Sequence, residues 1–289
     1  MKPINTTALP SSQPLVTTSI SQTGTLELHP VSLRIRRPST GNQTATPPDR
    51  SGKTLSGFSS KSRSRLRFMA VNAFPELISQ LGLTYHNEWP TDGRECKRHL
   101  NLFLTHLRKL MPDTNYLWIM EFQKRNAPHY HLFLTSPRTP ELAEKLAQIW
   151  TNITSPNDKQ ALEFHKHPDN WIPWAINTAQ YLAKYLDKDA QKFIPPDYHS
   201  FGRFWGNSRA LLKEPITIAL TELDHLESAD QYGEIDGGQT KIIRALGRLA
   251  EKQTNGYSKF RSRAPHGSYT MLQGTKAYIQ LENYFRRLK

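Results

Sequence analysis

Two histidines separated by one residue, His129 and His131, lie in the apolar run PHYHLFL at residues 128–134. Side chains alternate across a β-strand, so both imidazoles would face the same way and the residue between them the other way. Two adjacent imidazoles can bind a divalent cation and leave coordination positions for a substrate oxygen. The other interpretation is a pair of surface or hydrogen-bonded histidines without a metal.

A second candidate element follows fifty residues later, in the sequence YLAKY at 181–185. Residues 174–188 are predicted to form a helix, and at 100° per residue Tyr181, Lys184, Tyr185 and Lys188 fall within about 100° of arc. A phenol is a poor nucleophile at neutral pH, but a nearby ammonium favours the phenolate and stabilises charge on an attacked phosphate. The pattern indicates tyrosine attack on a phosphodiester. The alternative is two tyrosines at the rim of the core beside solvated lysines.

Glu121 is the candidate third metal ligand. It lies in a predicted strand at 117–122, and if Phe122 pairs with Tyr130 in a hairpin, Glu121 lies opposite His131 and shares its face. A one-residue change of register would send the carboxylate to the other face. The alternative is a cross-strand partner for a basic side chain of the turn.

The elements around these residues predict an α+β fold. Strands are expected at 66–72, 117–122 and 129–135, helices at 94–110 and 139–150, and a possible later strand at 215–220. The order β-α-β-β-α is that of a ferredoxin-like or RRM-like antiparallel sheet with helices on one face.

Composition limits the class of partner. The 289 residues carry a formal net charge of +13, which favours a polyanion, either nucleic acid or an anionic membrane. The single cysteine, Cys96, excludes an internal disulfide and a thiolate-built zinc site. Because no run resembles a transmembrane helix or a signal peptide, we expect a soluble protein of the bacterial cytoplasm.

Three regions are predicted. Residues 1–63 are expected to be a disordered basic arm, with eight Lys and Arg against two acidic residues. Residues 64–213 carry the periodic segments and the candidate site. Residues 214–289 are expected to be an acidic linker followed by a basic helical C-terminal region, because 214–240 hold seven acidic and no basic residues and 241–289 hold eleven basic and two acidic ones.

The segments EFQ at 121–123, PHYH at 128–131 and YLAKY at 181–185 closely resemble the HUH endonucleases, in particular the two-tyrosine replication initiators of rolling-circle plasmids and small single-stranded DNA phages. The resemblance covers about residues 64–213. It implies Mg²⁺ or Mn²⁺ held by His129 and His131 with a third polar ligand. It also implies cleavage of origin DNA to a 5′-phosphotyrosine and a free 3′-OH, with Tyr181 or Tyr185 initiating, the other taking part in the termination exchange, and Lys184 orienting the scissile phosphate.

The sequence GRFWG at 202–206 is similar to segments that follow the tyrosine helix in these initiators. Arg203 offers a guanidinium for a phosphate and Trp205 an indole on which a base can stack, and Lys188 is a further expected DNA contact. The alternative is that Phe204 and Trp205 close the core under a glycine turn.

Two other functions remain open from the sequence. One is a transposase or relaxase of the same superfamily, although relaxases usually place the tyrosine ahead of the histidines. The other is a basic nucleic-acid-binding module of ferredoxin-like fold without catalysis. For the initiator, the expected partners are origin DNA, as single strand or supercoiled duplex, and a host helicase and polymerase, because the chain lacks a phosphate loop and a motor domain.

Overall fold

The structure, a computed structural model, describes residues 24–36, 58–73, 76–167, 171–173, 194–199, 201–219, 269–272 and 275–288. The strands are β1 (Thr25–His29), β2 (Ser32–Arg36), β3 (Ser79–Thr84), β4 (Tyr116–Phe122), β5 (Pro128–Leu134), β6 (Trp171–Pro173), β7 (Trp205–Asn207), β8 (Ile216–Ala219) and β9 (Tyr269–Met271). The α-helices are α1 (Ser60–Ala73), α2 (Gly93–Leu110), α3 (Pro140–Thr154), α4 (Lys159–His165) and α5 (Thr275–Leu288). In the described part of the chain no helix is long and apolar enough to cross a membrane.

The larger sheet has five strands in the order β6-β3-β5-β4-β7, and every neighbouring pair is antiparallel. Helices α2 and α3 cover one of its faces. The Tyr130 hydroxyl donates to the Cys96 carbonyl of α2 at 3.1 Å, and its ring meets Trp150 of α3 edge-on at 6.3 Å. The predicted α+β class with an antiparallel sheet is therefore confirmed.

Helix α2 forms where its apolar spacing predicts it. Leu100, Phe103, Leu104 and Leu107 recur at three- and four-residue intervals and are buried against the sheet. Asp92 caps the first turn by accepting a hydrogen bond from the Arg94 backbone N–H at 2.9 Å. The predicted helix at 94–110 is confirmed with its start one residue earlier.

The β4–β5 hairpin is also as predicted to within a residue or two. Its turn is closed by a hydrogen bond from the Gln123 N–H to the Ala127 carbonyl at 2.9 Å, and Asn126 adopts a left-handed φ of 66°. Asparagine tolerates this conformation better than most residues. The following helix α3 begins at Pro140, whose missing N–H costs nothing at a helix start, and Thr139 caps it.

The first predicted strand, at 66–72, is wrong, because this segment belongs to helix α1. Leu66, Ala70 and Ala73 are spaced for one helical face and all three are fully buried. The first strand of the larger sheet is instead β3, whose sequence SQLGLT combines glycine and polar residues that are depleted in strands. The predicted order β-α-β-β-α is kept, with a different first strand.

A second sheet of four strands has the order β8-β1-β2-β9 and packs against α5. Its small core is formed by Leu26, Leu28, Leu33, Ile218, Leu272, Leu281 and Phe285. The structure thus differs from the expected disordered arm at residues 24–36, which form a hairpin. The predicted strand at 215–220 is present as β8, but it pairs with β1 in this second sheet.

Helix α1 connects the two sheets. Its Phe68 ring packs edge-on against His29 at 5.0 Å and lies 4.9 Å from the Arg34 guanidinium, so the helix contacts the hairpin directly. On the side of the larger sheet, the Trp205 indole N–H donates to the Ser62 hydroxyl at 3.0 Å. Because one helix contacts both sheets, the hairpin is tied to the body that carries the histidines.

Candidate active site

The two central strands bring Glu121, His129 and His131 to one face of the larger sheet. Glu121 is the direct cross-strand partner of His129, and Met120 is the partner of Tyr130. The predicted pairing of Phe122 with Tyr130 is wrong by two residues. Because the side-chain period of a strand is two, that offset keeps Glu121 on the predicted face.

The three side chains form two close pairs. The distance from Glu121 Oε2 to His131 Nε2 is 3.6 Å, and the rings of His129 and His131 have centroids 4.4 Å apart with an interplanar angle of 80°. Glu121 and His131 are only 5% and 7% exposed, whereas His129 is half-buried at the open end of the strand. The pairs therefore run from the interior of the sheet toward its surface.

Strand β3 contributes polar neighbours to the same face. The Gln80 side-chain amide lies 3.2 Å from His131 Nδ1, and Thr84, the cross-strand partner of His129, donates to the Gln123 side chain at 3.2 Å. Gly82 is the partner of His131 and adds no side chain. The histidines thus lie within a polar row that crosses three strands.

This donor set fits a divalent metal. Among the described residues no three His, Cys, Asp or Glu side chains already converge as a metal cluster. Glu121 Oε1 is nevertheless buried and accepts no hydrogen bond from any described residue, so a carboxylate oxygen is available beside two imidazoles. Buried carboxylate oxygens without a partner are costly, and a cation would satisfy this one. The mixed nitrogen and oxygen set suits Mn²⁺, and its oxygen donor also suits Mg²⁺.

The tyrosine between the histidines is not a suitable nucleophile. Tyr130 lies on the opposite face, fully buried under α2 and α3, and burial raises the pKa of its phenol well above the ordinary value. Burial likewise raises the pKa of the Tyr85 phenol, and this hydroxyl is engaged with His99 at 3.1 Å. Both phenols stay protonated at neutral pH, so an attacking tyrosine has to come from elsewhere in the chain.

Four predicted site residues, Tyr181, Lys184, Tyr185 and Lys188, lie outside the described residues. Their roles remain predictions from the sequence.

The two predicted DNA-contacting residues of the GRFWG segment are described. Arg203 is exposed. Trp205 is half-buried, is the strand partner of Ile119, and uses its indole N–H on Ser62. Phe204 is buried and packs against Phe201, as the packing interpretation of this segment expected. The rest of the indole surface and the Arg203 guanidinium can still meet a ligand.

Gln80 is the residue near the site that the sequence did not reveal. Its signal would have been a position on a strand beside the histidines, but β3 does not have the composition of a strand. Once β3 is placed next to β5, alternation alone assigns Gln80 to the face of His131.

Comparisons with known proteins give one match. A family model of replication-associated proteins, described as the ORF2 and gene 2 protein type, matches residues 79–190, less than half of the chain. No curated protein and no solved structure matches. The matched segment contains Glu121, both histidines and the YLAKY sequence, and the similarity supports a role as a replication initiator.

Proposed function

We propose that this protein is a two-tyrosine initiator of rolling-circle replication that nicks origin DNA and later rejoins the strands. Glu121, His129 and His131 would hold Mg²⁺ or Mn²⁺, and Tyr181 and Tyr185 would be the nucleophiles. The product of the first step is a 5′-phosphotyrosine and a free 3′-OH from which a polymerase can extend.

One observation carries this proposal. A buried carboxylate and two neighbouring imidazoles share one face of adjacent antiparallel strands, within the segment that is similar to replication-associated proteins. A purely structural carboxylate at this depth would be expected to have both oxygens hydrogen-bonded, and Glu121 Oε1 accepts none from the described residues.

The nicking step is a transesterification. The phenol oxygen of one tyrosine attacks the phosphorus of a phosphodiester, its proton leaves to a base or to water, and a tyrosine–phosphorus bond forms. The bond from phosphorus to the 3′-oxygen breaks, and that oxygen takes up a proton to become the 3′-OH. The bound metal would supply Lewis-acid polarisation of a non-bridging phosphate oxygen.

Rejoining is the reverse exchange. A 3′-OH attacks the phosphotyrosine and releases the phenol, so no external energy source is needed. The second tyrosine lets a new nick form while the first covalent link persists, which is why two phenols on one helix face suit an initiator.

The basic residues near the site would act on the DNA backbone. Lys184 would offset charge on the scissile phosphate, and Lys188 and Arg203 would hold flanking phosphates. Trp205 would offer the exposed part of its indole to a base. A host helicase and polymerase would separate and copy the duplex after the nick.

The test is a denaturing-gel assay for covalent protein–DNA product on single-stranded and supercoiled cognate replicon DNA with Mn²⁺ or Mg²⁺. We expect a covalent band with the wild type, and its loss in the double variant Tyr181→Phe/Tyr185→Phe and in the double variant His129→Ala/His131→Ala. The single tyrosine variants identify the initiating residue.

Two matched controls separate chemistry from general damage. Tyr278→Phe removes a phenol in helix α5, and His106→Ala removes an exposed imidazole from helix α2, so both variants should still form the band. DNA binding without any covalent product in the wild type, under all metal conditions, would refute the enzyme and leave a non-catalytic DNA-binding module.

A further inference from the structure

Gln80 is a buried polar residue that contacts the candidate site through a single atom pair. It is 8% exposed, pairs with Phe133 across the β3–β5 ladder, and reaches diagonally to the neighbouring residue of the same face, His131. The direct partner of His131 is Gly82, which has no side chain to fill the space between them. The diagonal reach is therefore open to the glutamine amide.

We propose that Gln80 is a positioning residue that orients the His131 ring for metal binding. This inference rests on the proposed function. The Gln80 amide engages Nδ1 at 3.2 Å, while Nε2 of the same ring is 3.6 Å from the Glu121 carboxylate. Metal-binding imidazoles are held by a partner at the nitrogen that does not bind the metal, which fixes the ring orientation and the tautomer.

Burial makes the contact hard to replace. Ile119 and Phe133 flank the histidine on the same face and are fully buried, and His131 itself is almost inaccessible to water. Loss of the amide would leave the Nδ1 side of the ring without this partner in an apolar setting. The ring would then have less reason to keep Nε2 directed toward Glu121.

An amide serves this position better than a carboxylate or an alkyl group would. As placed, Gln80 Nε2 donates to His131 Nδ1, so the ring proton is on Nε2 beside Glu121. A half-turn of the amide presents Oε1, which accepts from a protonated Nδ1 and leaves the Nε2 lone pair available to a cation. Glutamine can satisfy both tautomers, since it carries a donor and an acceptor on one group.

The test measures Mn²⁺ binding to the full chain by isothermal titration calorimetry, without DNA and without an activity assay. Gln80→Met keeps the length of the side chain and removes the hydrogen bond, and we expect it to weaken Mn²⁺ affinity by about 10- to 100-fold. Gln80→Glu should restore affinity to the wild-type level or above, because a carboxylate accepts from Nδ1–H. Gln148→Met, at an exposed position of α3, removes an amide elsewhere and should change nothing.

A second readout follows the tautomer itself. Long-range ¹H–¹⁵N spectra of the metal-free wild type should show His131 with its proton on Nε2, and Gln80→Met should show a mixture of the two tautomers. Equal Mn²⁺ affinity and an unchanged tautomer in Gln80→Met would overturn the role of Gln80 alone. If Gln80→Met does not fold, a Gln80→Glu variant that binds Mn²⁺ more weakly than the wild type overturns it as well. A wild type that binds no Mn²⁺ would refute the metal site and the role of Gln80 with it.

Discussion

Lys97 of helix α2 carries its charge into an apolar environment, and replacing it should stabilise the protein. Its Nζ is 4.4 Å from the centroid of the Trp118 ring and 5.3 and 5.4 Å from those of Tyr130 and Phe201. The nitrogen is buried and has no hydrogen-bond acceptor among the described residues. Desolvation lowers the pKa of this ammonium to about 7.

The size of the effect follows from that pKa. A fall from 10.5 to about 7 means that folding at neutral pH requires either loss of the proton or burial of the charge. At 1.36 kcal/mol per pH unit this amounts to about 4–5 kcal/mol against folding. Attraction to the three aromatic rings returns about 1–2 kcal/mol. We therefore expect Lys97→Met to raise the free energy of unfolding by about 2–3 kcal/mol at pH 7.

The sign of the pH dependence is fixed by the direction of the shift. Between pH 7 and 10.5 the unfolded chain binds a proton at Lys97 that the folded protein does not, so wild-type stability rises with pH through this window. The advantage of Lys97→Met should accordingly shrink from pH 7 to pH 9, by about 2 kcal/mol. Taking the difference between two chains cancels the other ionisations.

Urea unfolding of wild type and Lys97→Met at pH 7, 8 and 9 makes the measurement. Lys109→Met, an exposed position in the last turn of the same helix, is the control and should show no such trend. A Lys97→Met protein that is less stable than the wild type by a margin independent of pH would refute the reasoning. It would mean that the rings hold the ammonium charged at no net cost.

Two further predictions concern packing. Gly206→Ala should lower the free energy of unfolding by about 1–3 kcal/mol, because an added Cβ would lie 2.8 Å from the Trp118 ring, whereas Gly202→Ala meets nothing within 4 Å and should change it by less than about 0.5 kcal/mol in the same urea titration. Phe285→Ala, in the core of the second sheet, should cost about 3–5 kcal/mol and remove hydrogen-exchange protection from the hairpin at residues 25–36. Protection that survives in that hairpin would show that α5 does not hold it.

The parts of the fold that the sequence predicted are those with long, locally repeated patterns. Helices α2 and α3 have apolar stripes several turns long, and β4 and β5 are continuous apolar runs joined by a short turn. Strand β3 was missed because SQLGLT has neither the alternation nor the β-branched residues of a strand, and it becomes a strand only by pairing with β5 and β6. Tertiary pairing outweighs local preference here.

The site was predicted in composition but not in register. The turn between β4 and β5 is shorter than the predicted pairing assumed, since Pro128 already pairs with Phe122. Local sequence does not fix such an offset, because either register buries the same apolar set. The face of Glu121 was predictable because two residues of slip restore the alternation, and the contact of Gln80 was not because its strand was unrecognised.

The second sheet assembles β1 and β2 from near the start of the chain with β8, β9 and α5 from its last third. Leu26 and Leu28 therefore have no partners for burial until α5 has been synthesised, about 240 residues later, and the loop to be closed is among the longest this chain permits. On a ribosome the larger sheet can pair β3, β4 and β5 while the first hairpin still waits. Completion of the small sheet is thus a late event that reports whether translation reached α5, and a truncated chain would expose an unpaired strand edge to other chains.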